Sequence, residues 1–408
     1  MRRKRLPHRE PTEDNKVWIE RVTQRALGPS RAALMGVAPL SWSGRETLPD
    51  EPVLILSNHV SLFDPWFTIT AAGKPIHYLA TAAAMQQPVM GFVLRTWGSV
   101  PKRKFTVDAG AIRALKKWAD LGASVGSYPE GERSWDGELL PLLPGIEALV
   151  RLLKLPVVPV RILNADRVLP RWASVRRHGR VEIQFGEARK FPRKAPPAEV
   201  RAWLEQSLRI DQRDEANHFP VRGVRLALGI ENPLFRCPHC FAWDALSPQR
   251  NVASCMRCGA SWRVNTHNEL LAEGGGASSM TIVEARARIR EATADNFFVN
   301  EHRFEREGLV AESQRAPLLN ISGDQAEPMG MVRARLTREA VAFIDDAGRP
   351  RLTIPLRELM VASVELRRRL TFRTESELYE LVLPTESPLK WRELTEHWRE
   401  RAHAGDEA

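Results

Sequence analysis

Apolar positions in the first half of the chain alternate between two rhythms. Lys16–Ala38 carries them at helical spacing with arginines interspersed, which predicts an amphipathic lead-in helix. Pro52–Ser57 is a short, nearly unbroken apolar run, as expected of a buried strand. Pro65–Ala72 reads as a helix, because Asp64-Pro65 supplies a cap and then proline at the first helical position. Beyond it, strands are predicted at Ile76–Ala80, Ala123–Tyr128, Val157–Ile162 and, by strict alternation, Arg180–Phe185. Helices are predicted at Ala109–Leu121, Ile146–Lys154 and Pro196–Leu208. Strands alternating with helices predict an α/β domain with a mostly parallel sheet flanked by helices.

A boundary falls near residue 220, and the pattern then changes. Residues 233–265 form a cysteine module, and Gly274-Gly275-Gly276 reads as a flexible break. A helix is predicted at Thr281–Thr293. Val332–Ile344 reads as one long strand, Asp345-Asp346-Ala347-Gly348 as a hairpin turn and Arg351–Leu356 as the partner strand. Further strands follow at Met360–Glu365, Leu370–Arg373 and Tyr379–Leu383. Pro388–Arg401 closes as a helix with Leu389, Trp391, Leu394 and Trp398 mostly on one face. The expected organisation is a basic tail and lead-in helix (1–38), an α/β domain (39–220), a metal-binding module (233–265) and an α+β domain (278–402). The last resembles pleckstrin-homology-like domains, in which a helix plugs an antiparallel sheet.

Charge separates the halves further. Of the 60 Lys+Arg and 50 Asp+Glu, residues 1–220 hold 34 and 23, a net +11, and residues 221–408 hold 26 and 27, a net −1. The excess, which includes Met1-Arg2-Arg3-Lys4-Arg5 and Arg176-Arg177-His178-Gly179-Arg180, favours anionic partners. Aromatics are 7% and do not interleave with the basic residues as a base-stacking platform would, so no nucleic-acid partner is expected. No run reaches the ~18 apolar residues of a membrane span. No apolar stretch follows the basic N-terminus as a secretory signal requires. The expectation is a cytoplasmic protein, peripheral on the inner face of the membrane and drawn to its anionic surface.

The candidate chemistry lies at a strand-to-helix junction, Asn58-His59-Val60-Ser61-Leu62-Phe63-Asp64. His59 and Asp64 are five apart, about 140° around a regular helix, so they meet only if the chain turns between them. A histidine is suited to take a proton from a hydroxyl near neutral pH, and a carboxylate on its other nitrogen fixes the tautomer. Taken alone, the pair also fits an N-cap aspartate beside a loop histidine. Three more blocks follow in order: Gly98-Ser99-Val100-Pro101-Lys102-Arg103-Lys104, Tyr128-Pro129-Glu130-Gly131-Glu132-Arg133-Ser134 and Val157-Val158-Pro159-Val160.

These four blocks, over roughly residues 40–200, resemble the glycerolipid acyltransferases of the 1-acylglycerol-3-phosphate acyltransferase family. The resemblance implies transfer of a fatty acyl group from acyl-CoA or an acyl carrier protein to a hydroxyl of a lysophospholipid or glycerol phosphate. It implies His59 as general base, Asp64 as its orienting carboxylate, and substrate contacts from Glu130, Gly131 and Arg133. The family's basic position falls on Lys104 without a gap, or on Arg103 with a one-residue slip. Glu132 departs from the pattern, standing where threonine is commoner. The partners implied are a phospholipid precursor and, as one of the two donors, a carrier protein. The chemistry itself requires no metal.

Cys237-Pro238-His239-Cys240 and Cys255-Met256-Arg257-Cys258 are two CxxC knuckles with 14 residues between them. Two knuckles at this spacing predict a zinc ribbon, with Cys237, Cys240, Cys255 and Cys258 holding a structural zinc in a reducing compartment. Such ribbons also occur in nucleic-acid and regulatory proteins. The competing reading is therefore a nucleic-acid-binding or regulatory protein whose acyltransferase-like domain is a non-catalytic lipid-binding module. The charge excess lies in the other half, which weighs against it.

Overall fold

The central strand of the first sheet is the apolar run Leu54–Ser57, and all four residues are buried. In the computed structural model, which describes residues 10–36, 38–81, 84–85, 88–102, 108–173, 175–211, 214, 217, 219–294, 297–322, 326–366 and 368–404, it pairs in parallel on both sides. The chain divides into two compact units, residues 1–171 with 175–223, and residues 172–174 with 224–408.

The first unit is built on strands β1 (Leu40–Ser43), β2 (Leu54–Ser57), β3 (His77–Thr81), β4 (Val100–Lys102), β5 (Val125–Ser127), β6 (Val157–Leu163) and β7 (Val181–Phe185). Their spatial order is β1-β7-β6-β2-β5-β3-β4. Every pair is parallel except β6 with β7. The helices are α1 (Glu13–Met35), α2 (Asp64–Ala72), α3 (Pro88–Thr96), α4 (Ala109–Asp120), α5 (Ile146–Leu153), α6 (Ala165–Val168) and α7 (Pro197–Leu208). The expected α/β architecture is therefore present, with one antiparallel pair. The strands β1 and β4 and the helices α3 and α6 have no counterpart in the hydrophobic pattern. β1 and β4 are edge strands of four and three residues, too short to set up an alternation.

The chain crosses the sheet around β2, whose neighbours β5 and β6 both come later in sequence. Such a crossover opens a crevice at the carboxyl ends of the strands, where ligands bind in open α/β sheets. Asn58 prolongs β2 by one step. Its side-chain Nδ2 donates to the Ile162 carbonyl at 3.1 Å, and its Oδ1 accepts from the Ile162 N–H at 2.7 Å, as a peptide group would. His59 thus leaves the sheet from a fixed point.

Within the basic run at 176–180, Arg176, His178 and Arg180 are exposed and Arg177 is buried. Arg177 is 2% exposed, donates from Nη1 to the Arg167 carbonyl, and burial lowers its guanidinium to about 9. Met1–Arg5 lies outside the described residues, as do Arg103 and Lys104.

The second unit contains two antiparallel sheets. One runs β12-β11-β10-β9-β8, from β8 (Leu246–Gln249) through β9 (Val252–Cys255), β10 (Ser261–Val264) and β11 (Glu269–Gly274) to β12 (Met280–Thr281). The glycine run is here a tight turn between β11 and β12, not a break. Gly275 has φ +66°, and a Cβ there would stand 2.2 Å from the Gly259 carbonyl oxygen. Only glycine fits that approach.

The other sheet joins β13 (Leu309–Glu312), β14 (Ala316–Asn320), β15 (Glu327–Thr337), β16 (Ala340–Ile344), β17 (Pro350–Pro355), β18 (Val361–Leu366), β19 (Arg369–Arg373) and β20 (Leu378–Val382). Its order is β17-β16-β15-β14-β20-β19-β18, with β13 on β15. The single strand expected over Val332–Ile344 is two strands of a hairpin. The turn has no Gly, Asn or Asp to signal it. Thr337 Oγ1 instead accepts the N–H groups of Glu339 and Ala340. Helices α8 (Ile282–Ala294) and α9 (Glu301–Glu307) precede this sheet, and α10 (Pro388–Ala404) follows it. Leu389, Trp391, Leu394 and Trp398 of α10 are all buried.

Candidate functional site

His59 follows β2 and Tyr128 follows β5, so two neighbouring parallel strands deliver their first loop residues to the same crevice. The turn required between His59 and Asp64 is made, and His59 Nδ1 lies 2.8 Å from Asp64 Oδ2. Asp64 does not cap its helix. It is the first residue of α2 and turns back toward the preceding loop, where Oδ2 also accepts the N–H groups of Val60 (2.8 Å) and Ser61 (2.9 Å). Its side chain is fully buried, and three donors on one oxygen hold it in a single orientation. Nδ1 of His59 is thereby committed, and Nε2 is the nitrogen left for other chemistry.

The imidazole is held on one face and at Nδ1. Its ring stacks on Tyr128 at 3.9 Å and 15°, and Tyr128 stacks on Tyr78 at 5.2 Å. Gly126 makes room for that pile, since a Cβ there would meet the Tyr78 ring at 2.5 Å. The backbone of His59 is held from both ends. Its N–H donates to Glu130 Oε1 at 2.6 Å, and its carbonyl accepts from the Ser134 N–H at 2.8 Å. Burial lowers the imidazole below its ordinary value of 6.5. Asp64 opposes that shift, while the cations of Arg133 and Arg171 add to it.

Glu130 is 4% exposed, and its second oxygen accepts the Leu140 N–H at 2.7 Å. Burial pushes its carboxyl up to about 8, against the pull of these two amide hydrogen bonds. Each oxygen thus accepts one backbone N–H. Gly131, with φ +67°, brings the chain against Leu143, where a Cβ would meet Cδ1 at 2.3 Å.

His59 and Gly131 open on a cavity of about 110 Å³. Its lining is mostly apolar and comes from the loop before α2, the start of α2, the ends of β3, β4 and β5, and α3, including Leu62, Leu79, Met90, Leu94 and Tyr128. Lys102 is also on its wall, immediately before the Arg103/Lys104 pair. The tyrosine stack and the α3 wall were not singled out in the sequence. Only the place of Tyr128 inside its motif could have marked it. Arg171 was equally hidden, and the one sign of it was an acidic residue, Glu132, at a position that would need a cation.

In the second unit, the four cysteine sulfurs lie within 4.8 Å of one another. Cys237 and Cys258 are 3.9 Å apart, and Cys240 and Cys255 are 3.8 Å apart. Tetrahedral zinc with Zn–S near 2.3 Å requires sulfurs about 3.8 Å apart, so this donor set fits that ion. The two knuckles share one geometry. Phe241 N–H donates to the Cys237 carbonyl and Gly259 N–H to the Cys255 carbonyl, and both donors have positive φ (58° and 75°). Arg236 anchors the first knuckle, donating to the Phe241 carbonyl and, from Nη1, to the Ala292 carbonyl and Thr293 Oγ1 of α8. Lys390 of α10 reaches Asp244 Oδ2 at 2.6 Å.

Residues 40–163 match the acyltransferase family model. Over 146 residues, 34% of this chain, the sequence is 30% identical to a chloroplastic 1-acyl-sn-glycerol-3-phosphate acyltransferase of Brassica napus. A 1-acyl-sn-glycerol-3-phosphate acyltransferase of Pseudomonas aeruginosa is 25% identical over 179 residues, which cover 40% of this chain and 67% of that protein. The chain spans 42% of the length of the Brassica relative. Among solved structures, the 1-acyl-sn-glycerophosphate acyltransferase of Thermotoga maritima is 22% identical with a TM-score of 0.41, covering 46% of this chain and 76% of that one.

Proposed function

We propose, from a chain whose residues 40–163 belong to the acyltransferase family, that the protein transfers a fatty acyl group from a thioester to a hydroxyl of a lysophospholipid or glycerol phosphate. The observation that carries this reading is the 2.8 Å contact between His59 and a buried, orientation-locked Asp64 beside an apolar cavity. Nε2 of His59 takes the proton of the acceptor hydroxyl as its oxygen attacks the thioester carbonyl. The new C–O bond forms, the C–S bond breaks, and the imidazolium returns the proton to the departing thiolate. Asp64 stabilises the imidazolium without itself being protonated. No enzyme nucleophile is needed, because the acceptor supplies it. Arg133, with the basic residues at 102–104, would receive the acceptor's phosphate. The test is a panel of long-chain acyl-CoA and acyl carrier protein donors against lysophosphatidic acid, other lysolipids and glycerol 3-phosphate, with products identified by mass. Product from none of these pairs removes the reading.

The depressed His59 pKa sets the sign of the pH dependence. A base works when deprotonated, and burial extends that form to lower pH. The acidic limb of kcat/KM is therefore expected below 6.5, and a limb above 6.5 would contradict the assignment.

Glu130 holds His59 through its backbone. Glu130→Gln keeps one acceptor and sets an amide N–H against a backbone N–H, at a cost of about 1–3 kcal/mol. A lower unfolding midpoint and lower kcat are expected, with little change in acceptor KM. A change confined to KM would mean that Glu130 touches substrate instead.

Among the described residues no helix is long and apolar enough to cross a membrane. We place the protein as a peripheral partner of anionic cytoplasmic membrane surface, through the +11 of residues 1–220. Binding to phosphatidylglycerol-containing vesicles should exceed binding to phosphatidylcholine and weaken as salt rises. Salt-insensitive binding would point to apolar insertion.

The four cysteines are assigned a structural zinc, remote in role from the acyl chemistry. When bound, the ion supplies folding free energy to the β8–β12 sheet.

A further inference from the structure

The loop bearing Arg133 is pinned at three successive residues. Ser134 N–H donates to the His59 carbonyl at 2.8 Å. The Arg133 carbonyl accepts from Arg171 Nη1, and the Glu132 carboxylate accepts from Arg171 Nη2 at 2.8 Å. Arg171 comes from just after α6, outside the region matched by the family model. Its side chain is 1% exposed and that of Glu132 is 8% exposed. The Arg171 guanidinium also lies 4.4 Å from the Trp135 ring centroid. A planar fork with several fixed donors can serve two acceptors at once, which an ammonium cannot do with the same geometry.

We propose that Arg171 is a positioning residue: through Glu132 and the Arg133 carbonyl it fixes the loop that aims Arg133 at an anionic acceptor group beside His59. This rests on the acyl-transfer reading for the identity of the acceptor, though not for the loop geometry. It also accounts for Glu132. A threonine there could not pair with a buried guanidinium, so the acid and Arg171 form one unit. The lowering of the His59 pKa by both arginines places them within electrostatic reach of the imidazole.

The experiment compares wild type, Arg171→Met and the double variant Glu132→Thr/Arg171→Met. The double variant removes both charges and leaves no lone buried ion, so it is the one expected to fold without penalty from an unpaired charge. Its far-UV spectrum and melting transition establish folding. KM for lysophosphatidic acid should rise about tenfold, in line with the loss of charge-assisted hydrogen bonds, with a smaller change in kcat. Amide exchange over residues 131–134, which needs no turnover, should quicken because the loop has lost its anchor. Either quantity staying at its wild-type value in the folded double variant overturns the proposal. If wild type acylates no acceptor, the acyl-transfer reading fails alone, and amide exchange still decides the positioning role.

Discussion

Replacing His59 by alanine is expected to lower kcat/KM on the order of 10²–10⁴-fold, the usual worth of a positioned acid–base group. The fold should survive, since the ring lines a cavity and the structural hydrogen bonds at this position are made by backbone. Glu130 would still accept the N–H of residue 59, and Ser134 would still donate to its carbonyl. Asp64→Asn should fall in the same range by a different route. An amide in place of the carboxylate removes the charge that stabilises the imidazolium, and it must point its oxygen at two backbone N–H groups to avoid a clash of donors. Steady-state kinetics with one donor and one acceptor check both. A His59→Ala protein within tenfold of wild type would leave the family domain without the mechanism assigned to it.

Loss of zinc is expected to have the largest effect on stability. Structural zinc sites in zinc-finger peptides contribute roughly 10–16 kcal/mol of apparent binding free energy. A whole domain is typically stable by only about 5–15 kcal/mol. The β8–β12 sheet has strands of two to six residues, and its buried large apolar side chains, Leu246, Trp262, Val264, Leu270 and Met280, make a small core that would not replace the metal. Elemental analysis should return one zinc per chain. Chelation, or Cys237→Ser, should release protection from amide exchange over residues 233–281. Freshly purified protein without stoichiometric zinc, or a chelated sheet that keeps its protection, would contradict the assignment.

Long periodic elements and chemically distinctive clusters were legible in the sequence. The β2 run, the helices after Asp64 and Asp108, and the paired cysteines each announce themselves within a few residues. The pairing of His59 with Asp64 was legible from the blocks that accompany it in order, not from the pair alone. What escaped was set by contacts distant in sequence. Asn58 reads as an ordinary polar residue until Ile162 lies beside it. Tyr78 and Tyr128 are fifty residues apart, and nothing local signals that one stacks on the other beneath His59. The β15–β16 hairpin turns on a threonine hydroxyl, where local rules look for glycine or asparagine. Arg171 stands between Pro170 and Trp172 with no motif around it, and only the buried Glu132 reveals it as an internal group. Glu130 shows the reverse case. Its motif was plain, yet the use of its carboxylate on two backbone amides depends on where the 140 region folds back.

The most direct test of the central claim is to incubate the purified protein with a labelled long-chain acyl thioester, with and without lysophosphatidic acid, and to weigh both lipid and protein. The account predicts a labelled diacyl product only when the acceptor is present, absent with His59→Ala, and an unmodified protein mass throughout. A protein that gains the mass of the acyl group, or a product that forms equally well without His59, would contradict direct attack by the acceptor hydroxyl under His59 base catalysis.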